Sequence, residues 1–382
     1  MDRVRLLLAT LALALPPALA QAPAPPPAAT PAAPALPTAG RLLRVAVPAP
    51  SLAGNLLGDP DVQPVEIYLP PSYGSSPEQR YPSVYLLHGV GGTSSQWTHG
   101  DPTLALHGTM DRLVREGKVP EMIVVMPSAM NRYGGSFYAN SPVTGNWEDY
   151  IARDLVGHVD ANFRTLANAA SRGVAGHSMG GLGAIRLSMD HPDVFGAAYA
   201  MSPCCLEWGG DLGPENPVWA QVATMGRLDE YLASRKRGEF YPLTALALAA
   251  AFSPNPGRPP LLVDMPYVVV DGRVVPNGPA LARWEAAEPI GQIASRRAAL
   301  AGLRGLAIDY GTRDQFAHIP EGARSFSREL AIHGIPHHLE LYDGDHRDRV
   351  RERLGTRVLP FFAAVLASHP PSPQTAPTRT GS

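Results

Sequence analysis

The chain has 382 residues, a formal net charge of −2 at pH 7 and only two cysteines. The near-neutral charge provides no basic surface of the kind that nucleic acid or an anionic membrane would bind. Two adjacent cysteines do not form a disulfide framework. The length suits one core fold that carries an insertion.

The first twenty residues have the features of a secretory signal peptide. A basic start is followed by an apolar run from Leu6 to Leu15 and by an Ala-x-Ala sequence that ends at Ala20. The run is too short for a membrane-spanning helix. No cysteine follows it that could carry a lipid anchor. We therefore expect residues 1–20 to be removed and the protein to be secreted or periplasmic.

Two segments of low complexity flank the main body of the chain. Residues 21–40 are almost wholly Ala and Pro, which predicts a semi-rigid linker. Residues 369–382 are similar and predict a disordered tail. The folded domain is therefore expected over residues 41–368.

Short apolar runs alternate with helical patterns along this domain. The runs at 84–87, 122–126 and 306–310 are apolar at consecutive positions, which is typical of parallel strands covered on both faces. With the other strand-like runs they predict an α/β fold with a mostly parallel, doubly wound sheet of about eight strands. Those other runs are 42–47, 62–69, 172–175, 197–201 and 338–342, and the helical patterns are 104–116, 147–163, 181–191, 316–333 and 348–366.

Residues 203–300 interrupt this alternation. The stretch is rich in Pro and Gly, with helical patterns at 218–237 and 281–303 and a hairpin pattern around Asp271-Gly272. In open α/β sheets the ligands bind at the carboxyl ends of the strands, where such insertions lie. We expect an inserted cap over the site; a peripheral embellishment is the alternative. The Cys204-Cys205 pair at the start of this insertion predicts two buried thiols. The alternative is a vicinal disulfide, which would close a strained eight-membered ring.

Residues 176–180 read G-x-S-x-G, with a strand-like run before them and a small-residue helix after them. That context is typical of a nucleophile elbow, in which the serine lies on a sharp turn with a strained backbone. The flanking glycines avoid a collision between Cβ atoms and neighbouring backbone. We predict that Ser178 is a nucleophile; a glycine-rich turn with an idle serine is the alternative.

A serine hydroxyl needs a base that accepts its proton. His346 lies in the turn after the last predicted strand, and Asp314 lies in the loop after the preceding one. The order Ser178, Asp314, His346 is that of α/β-hydrolases. Asp314 would hold the imidazole tautomer and stabilise the imidazolium without accepting its proton.

A developing oxyanion needs two N–H donors. One is expected from Met179, which follows the nucleophile, and the other from Val90 in the glycine-rich loop at 88–92. Tyr138 and Trp147 could line an acyl or sugar subsite, although packing in the core is an equal alternative. No cluster of histidines and carboxylates has the spacing of metal ligands, so we predict no metal site.

Several of these motifs resemble the putative-esterase (esterase D, antigen 85-like) branch of the α/β-hydrolases. That group includes feruloyl and acetylxylan esterases, siderophore esterases, S-formylglutathione hydrolases and mycolyltransferases. The resemblance covers residues 60–203 and 300–366. It is carried by YLLHG at 85–89, GSFY at 135–138, WE at 147–148, AGHSMGG at 175–181 and GDH at 344–346.

The resemblance implies an acyl-enzyme mechanism on carboxylic esters, without a metal or organic cofactor. By position it assigns the nucleophile to Ser178, the acid to Asp314, the base to His346, and the oxyanion donors to Val90 and Met179. Members often have tryptophan after the histidine, where this chain has Arg347-Asp348-Arg349. The insertion is also long for the group. Both differences affect the substrate rather than the reaction.

The sequence therefore predicts a secreted serine carboxylesterase that acts on a small-molecule or carbohydrate-linked ester. Two alternatives stay open. The first is an acyltransferase of the mycolyltransferase type, which passes the acyl group to a sugar or other alcohol. The second is a non-catalytic binding protein on a hydrolase scaffold. The sequence leaves open the acyl chain length and the oligomeric state, and it predicts no nucleic-acid partner and no membrane anchor.

Overall fold

The computed structural model describes residues 39–99 and 105–368. The expected signal peptide, nearly all of the expected linker and the expected tail lie outside the described residues. The strands are β1 Arg41–Pro48, β2 Val62–Leu69, β3 Ser83–Leu87, β4 Ile123–Pro127, β5 Asn140–Ser141, β6 Gly145–Asn146, β7 Arg172–His177, β8 Ala197–Met201, β9 Tyr267–Val270, β10 Arg273–Pro276, β11 Gly305–Gly311 and β12 His338–Tyr342.

Helices follow most of these strands. They are α1 Leu106–Arg115, α2 Trp147–Asp149, α3 Val156–Asn162, α4 Met179–Asp190, α5 Val218–Val222, α6 Leu228–Lys236, α7 Tyr241–Phe252, α8 Gly278–Ala286, α9 Pro289–Gln292, α10 Arg297–Ala301, α11 His318–Ile332, α12 Val350–Arg353 and α13 Leu359–Val365. Two π-helical segments, Tyr150–Leu155 and Leu354–Val358, continue α2 into α3 and α12 into α13.

Eight strands form one sheet in the order β1-β2-β4-β3-β7-β8-β11-β12. The pairs β1–β2 and β2–β4 are antiparallel, and every other neighbouring pair is parallel. The predicted sheet of mostly parallel strands is therefore confirmed. Because β3, β7, β8, β11 and β12 are parallel, their carboxyl ends lie along one edge of the sheet, where the loops after them meet.

The central strands are apolar at consecutive positions because both faces of the sheet are covered. All residues of β3, β4, β7 and β8 are buried. Along β7, Val174 packs into one hydrophobic core and its neighbour Ala175 packs into the other. The alternation of side chains across a strand places successive residues in opposite layers. Two helical layers therefore enclose the sheet.

The helices of the insertion are shorter and more numerous than its sequence pattern predicts. The helical pattern at 218–237 divides into α5 and α6, and the pattern at 281–303 divides into three short helices, with Pro289 at the start of the second. The predicted hairpin at Asp271-Gly272 is confirmed. Both of its turn residues have positive φ, as a two-residue hairpin turn requires.

Helix α7 was not predicted. Eleven of its twelve residues are buried, and it is apolar on all sides. A helix buried on every side shows no amphipathic periodicity, so the pattern that identifies surface helices is absent here. It packs beside β5, where Ser141 Oγ donates to the carbonyl of Ala250 at 2.6 Å.

A buried ion pair ties the last helices to the sheet. Asp309 of β11 is fully buried, and it accepts hydrogen bonds from Arg353 Nε and from the Tyr199 hydroxyl, both at 2.7 Å. Burial raises the pKa of Asp309 to about 6, although Arg353 opposes this rise. The pair joins β11, the strand before Asp314, to α12, the helix after His346.

We expect Arg353→Met to lower the free energy of unfolding by about 3 kcal/mol, because the substitution leaves the Asp309 carboxylate buried without its partner. Urea unfolding measures this change. The control is Arg357→Met, which removes a half-exposed arginine from Glu340 at 2.8 Å. It is expected to cost less than about 1 kcal/mol. Equal losses in the two variants would contradict the role given to Arg353.

Candidate active site

Ser178 lies at the turn between β7 and α4 with φ of +60° and ψ of −118°. A non-glycine residue in this region carries about 1–3 kcal/mol of strain. Gly176 and Gly180 make the turn possible. A Cβ on Gly176 would lie 2.2 Å from the carbonyl oxygen of Gly180, and a Cβ on Gly180 would lie 2.2 Å from that of Leu87. The backbone is therefore the sharp turn that the sequence context predicts.

The turn is held by hydrogen bonds from both sides. The Ser178 N–H donates to the carbonyl of Met201 at 3.0 Å. The Ser178 carbonyl accepts from the N–H groups of Gly181 and Leu182 in the helix and from that of Cys204 at 3.2 Å. Strand β8 and the start of the insertion thus share in fixing the serine.

His346 and Asp314 lie together at the same edge of the sheet. His346 Nδ1 donates to Asp314 Oδ2 at 2.7 Å, and the Asp314 side chain is fully buried. The other oxygen of Asp314 accepts the N–H of Phe316 at 3.0 Å. The ring of Phe316 packs edge-on against His346. Because Nδ1 is engaged, Nε2 is the atom of His346 that is left to exchange protons.

His177, the residue before Ser178, is a further part of this arrangement. Its Nε2 donates to the carbonyl oxygen of His346 at 2.7 Å. Burial, with a smaller contribution from His346, lowers the pKa of His177 to about 3, so the ring is neutral. Sequence reasoning did not single it out. The G-x-S-x-G pattern leaves this position free, and its contact lies 169 residues away.

The predicted oxyanion donors are at the same place. Met179 is the first residue of α4, and Val90 lies in the loop after β3 beside Ser178. Gly91 N–H donates to Gly134 and Gly92 N–H donates to Gly89, at 2.9 and 3.0 Å, which fixes the loop. Within the described residues, the N–H groups of Val90 and Met179 have no acceptor in the chain. They are available to a bound oxyanion.

Tyr138 and Trp147 lie in the core. Both are fully buried, and neither borders the two cavities next to Ser178. Trp147 Nε1 donates to the carbonyl of Thr144 at 2.8 Å. The Tyr138 hydroxyl donates to the carbonyl of His88 at 3.0 Å, at the start of the Val90 loop. The placement favours the packing alternative, and it gives Tyr138 a position from which it supports the oxyanion loop.

Two cavities meet at Ser178. The inner one is apolar and small, with a volume of about 20 Å³. The outer one is an open cleft of about 430 Å³ with a more polar lining that includes His346 and Arg235. Both are bordered by Val90, Ser178, Phe240 and Phe316. More than half of the inner lining comes from the insertion, with Cys204, Cys205, Leu212, Phe240, Tyr241, Thr244 and Leu248.

A second group of ionisable side chains borders the inner cavity. Cys204 and Cys205 are free, buried thiols next to His318. Burial opposes the charge of His318, but its hydrogen bond to Asp211 raises the pKa of His318 to about 9. Burial also opposes the charge of Asp211, but His318 and the Tyr241 hydroxyl hold the pKa of Asp211 at about 2. Sequence reasoning missed His318 and Asp211, because residues 107 positions apart carry no local pattern.

A family model described as a putative esterase matches residues 61–350. The "Endo-1,4-beta-xylanase/feruloyl esterase" of Xylanibacter ruminicola is 33% identical over 144 residues, which is 35% of this chain and 19% of the relative. Esterase Rv1288 of Mycobacterium tuberculosis is 29% identical over 223 residues, 51% of this chain and 44% of the relative. The chain spans less than half of each of these curated relatives.

A solved structure of a ferulic acid esterase superposes with a TM-score of 0.56 at 20% identity, over 86% of this chain and 99% of that one. This likeness confirms the predicted α/β-hydrolase fold. Among the described residues, every helix is too short or too polar to cross a bilayer.

We expect Tyr138→Phe to slow the reaction of Ser178 with a fluorophosphonate by about fivefold, because the loss of one hydrogen bond of roughly 1 kcal/mol frees the Val90 loop. The rate of phosphonylation measures the effect. Tyr85→Phe is the matched control, since the buried Tyr85 hydroxyl has no hydrogen-bond partner in the described part of the chain. If Tyr85→Phe slowed phosphonylation as much as Tyr138→Phe does, the positioning role of Tyr138 would be refuted.

Proposed function

The chain belongs to the putative-esterase family, and we propose that it is a secreted serine carboxylesterase that forms an acyl-enzyme on Ser178. The observation that supports this most is the meeting of the strained Ser178 turn with the His346–Asp314 pair at one cleft. Strain of this kind persists where the surrounding structure over-determines it, which is common at catalytic sites. A serine without a catalytic role would not require a strained backbone.

In the first half of the reaction, Ser178 Oγ attacks the carbonyl carbon of the ester and its proton passes to His346 Nε2. Asp314 stabilises the imidazolium through the 2.7 Å hydrogen bond at Nδ1. The N–H groups of Val90 and Met179 bind the oxyanion. The tetrahedral intermediate then breaks its bond to the alcohol oxygen, which takes the proton from His346.

In the second half, water attacks the acyl-enzyme. His346 Nε2 accepts a proton from the water, and the same two N–H groups stabilise the new oxyanion. The bond between Ser178 Oγ and the acyl carbon breaks, and Ser178 regains its proton from His346. The products are the carboxylic acid and the regenerated enzyme.

The two cavities divide the substrate at its ester bond. An apolar acyl group would contact the apolar lining at the inner cavity, which includes Phe137, Phe240 and Leu248. The alcohol part fits the outer cleft, which is open and polar. The names of a relative and of a solved structure, feruloyl and ferulic acid esterase, are consistent with an aromatic acyl group.

A second candidate function is transfer of the acyl group to an alcohol other than water. The outer cleft, at about 430 Å³, has room for a sugar or another acceptor beside His346. Water and a bound alcohol would use the same base. Product analysis with an added acceptor alcohol separates hydrolysis from transfer.

The proposal that the protein is secreted rests on residues 1–20. Cleavage after Ala20 in the exported protein would be visible by N-terminal sequencing.

We expect Ser178→Ala to lower kcat for a p-nitrophenyl ester by about 10⁴-fold or more, because the members of a triad act as a unit. The release of p-nitrophenol from purified protein measures it. Ser295→Ala, on the exposed surface of the insertion, is the control and is expected to keep the full rate. Turnover by Ser178→Ala within tenfold of the parent would refute the assignment.

A further inference from the structure

Cys204, Cys205 and His318 form a compact set of donor atoms outside the proposed catalytic machinery. Their Sγ, Sγ and imidazole nitrogen atoms lie within 4.8 Å of one another, and all three residues are buried. The three residues come from the first turn of the insertion and from the start of α11. All three border the inner cavity that also reaches Ser178.

The orientation of His318 is fixed by a carboxylate. Its Nδ1 donates to Asp211 Oδ1 at 2.7 Å, and its backbone N–H donates to the same oxygen at 2.8 Å. The hydroxyl of Tyr241 donates to the other oxygen of Asp211. This fully engaged carboxylate holds the proton on Nδ1, so Nε2 is the nitrogen left to bind.

His318 Nε2 is left without a hydrogen bond. The side chain is 6% exposed, and Nε2 has no hydrogen-bond partner among the described residues. A buried polar atom without a partner costs about 1–3 kcal/mol. The nitrogen lies against the two thiols, and a cation that all three atoms coordinate would satisfy it.

We propose that Cys204, Cys205 and His318 bind Zn²⁺ or another thiophilic divalent transition metal, with Asp211 holding the histidine in place. A carboxylate that binds the far nitrogen of the histidine is the usual support for such a ligand. The ligand set is two sulfurs and one imidazole nitrogen, which zinc prefers.

The geometry requires only a small contraction. Tetrahedral zinc, with bonds of about 2.3 Å to sulfur and about 2.0–2.1 Å to nitrogen, places its donor atoms roughly 3.5–3.8 Å apart. Adjacent side chains point to opposite sides of an extended chain. Here Cys205 has φ of +61°, and this turn brings both thiols toward His318.

The charge also balances. Two thiolates and a neutral imidazole balance the charge of a divalent cation, which leaves the charge of the Asp211 carboxylate beside them. Binding releases the thiol protons, and any proton on Nε2, to solvent. Three protein ligands would leave a fourth position open to another ligand, and all three residues border the inner cavity. If the proposed function holds, a metal bound by this cluster lies where the acyl group would contact the inner cavity. It therefore lowers the turnover of esters with long acyl chains.

The test is titration of reduced, metal-free protein with Co²⁺ alone, followed by Zn²⁺. We expect one equivalent of Co²⁺ with thiolate-to-cobalt charge-transfer and tetrahedral d–d absorption, which Zn²⁺ abolishes by displacement. Cys204→Ser and Cys205→Ser should each weaken the charge-transfer band. Asp211→Asn keeps all three ligands and should weaken binding by about 10–100-fold.

His191→Gln is the matched control. His191 also pairs with a carboxylate, Glu148 at 3.0 Å, but it is not in the cluster, so its loss should leave the cobalt spectrum unchanged. Thermal unfolding shows whether each variant is folded. Ser178→Ala should bind Co²⁺ like the parent, so failure of the esterase proposal and failure of this one are separate results.

Absence of the thiolate band in reduced protein with two titratable thiols would overturn the proposal. Binding that survives Cys204→Ser and Cys205→Ser would also overturn it. A Cys204–Cys205 disulfide in the isolated protein is the third contrary result, if the reduced protein then binds no Co²⁺.

Discussion

The left-handed backbone of Ser178 is the constraint on which the site depends. Residue 178 must leave β7 and enter α4 in one step, and this is possible only because two glycines allow backbone to approach within contact distance. The resulting turn raises the serine above the carboxyl edge of the sheet. It also leaves the N–H of Met179 at the start of a helix, where it has no acceptor among the residues that the structure describes. One backbone conformation thus presents the proposed nucleophile and one proposed oxyanion donor.

The sheet topology brings the other groups to that turn. Parallel strands end at one edge, so the loops after β3, β11 and β12 converge on Ser178 although they are far apart in the chain. Contacts beneath the site hold these loops. Tyr138 binds the backbone ahead of Val90, and the Asp309–Arg353 pair joins the strand before Asp314 to the helix after His346. The insertion completes the arrangement by lining the inner cavity.

The sequence was sufficient for the features that have local signals. Consecutive apolar runs predicted the strands, and the glycines around Ser178 predicted the turn. The predicted family and fold are confirmed, and the enzyme class is part of the proposal. The pairing of Asp314 with His346 followed from strand order, and the structure places the two side chains 2.7 Å apart. Their catalytic roles, with those of Ser178, Val90 and Met179, are part of the proposal.

Other features had no local signal. Helix α7 is buried on all sides and therefore shows no period in its sequence. Asp211 and His318 meet only through the tertiary fold. Tyr138 was offered as a subsite residue or as a core residue, and its hydroxyl turns toward the backbone of His88 instead of toward a cavity. Contacts of this kind depend on side-chain direction, which a residue pattern does not encode.

The central claim is that Ser178 carries the acyl group. The most direct measurement is rapid quenching of the enzyme with a p-nitrophenyl ester, followed by peptide mapping by mass spectrometry. The account predicts one acyl group per chain on the peptide that contains Ser178, formed with the burst of p-nitrophenol. Cys204 borders the same cavity and is the alternative residue that could carry the acyl group. Acyl groups on Cys204, or full turnover with Ser178 never acylated, would contradict the account.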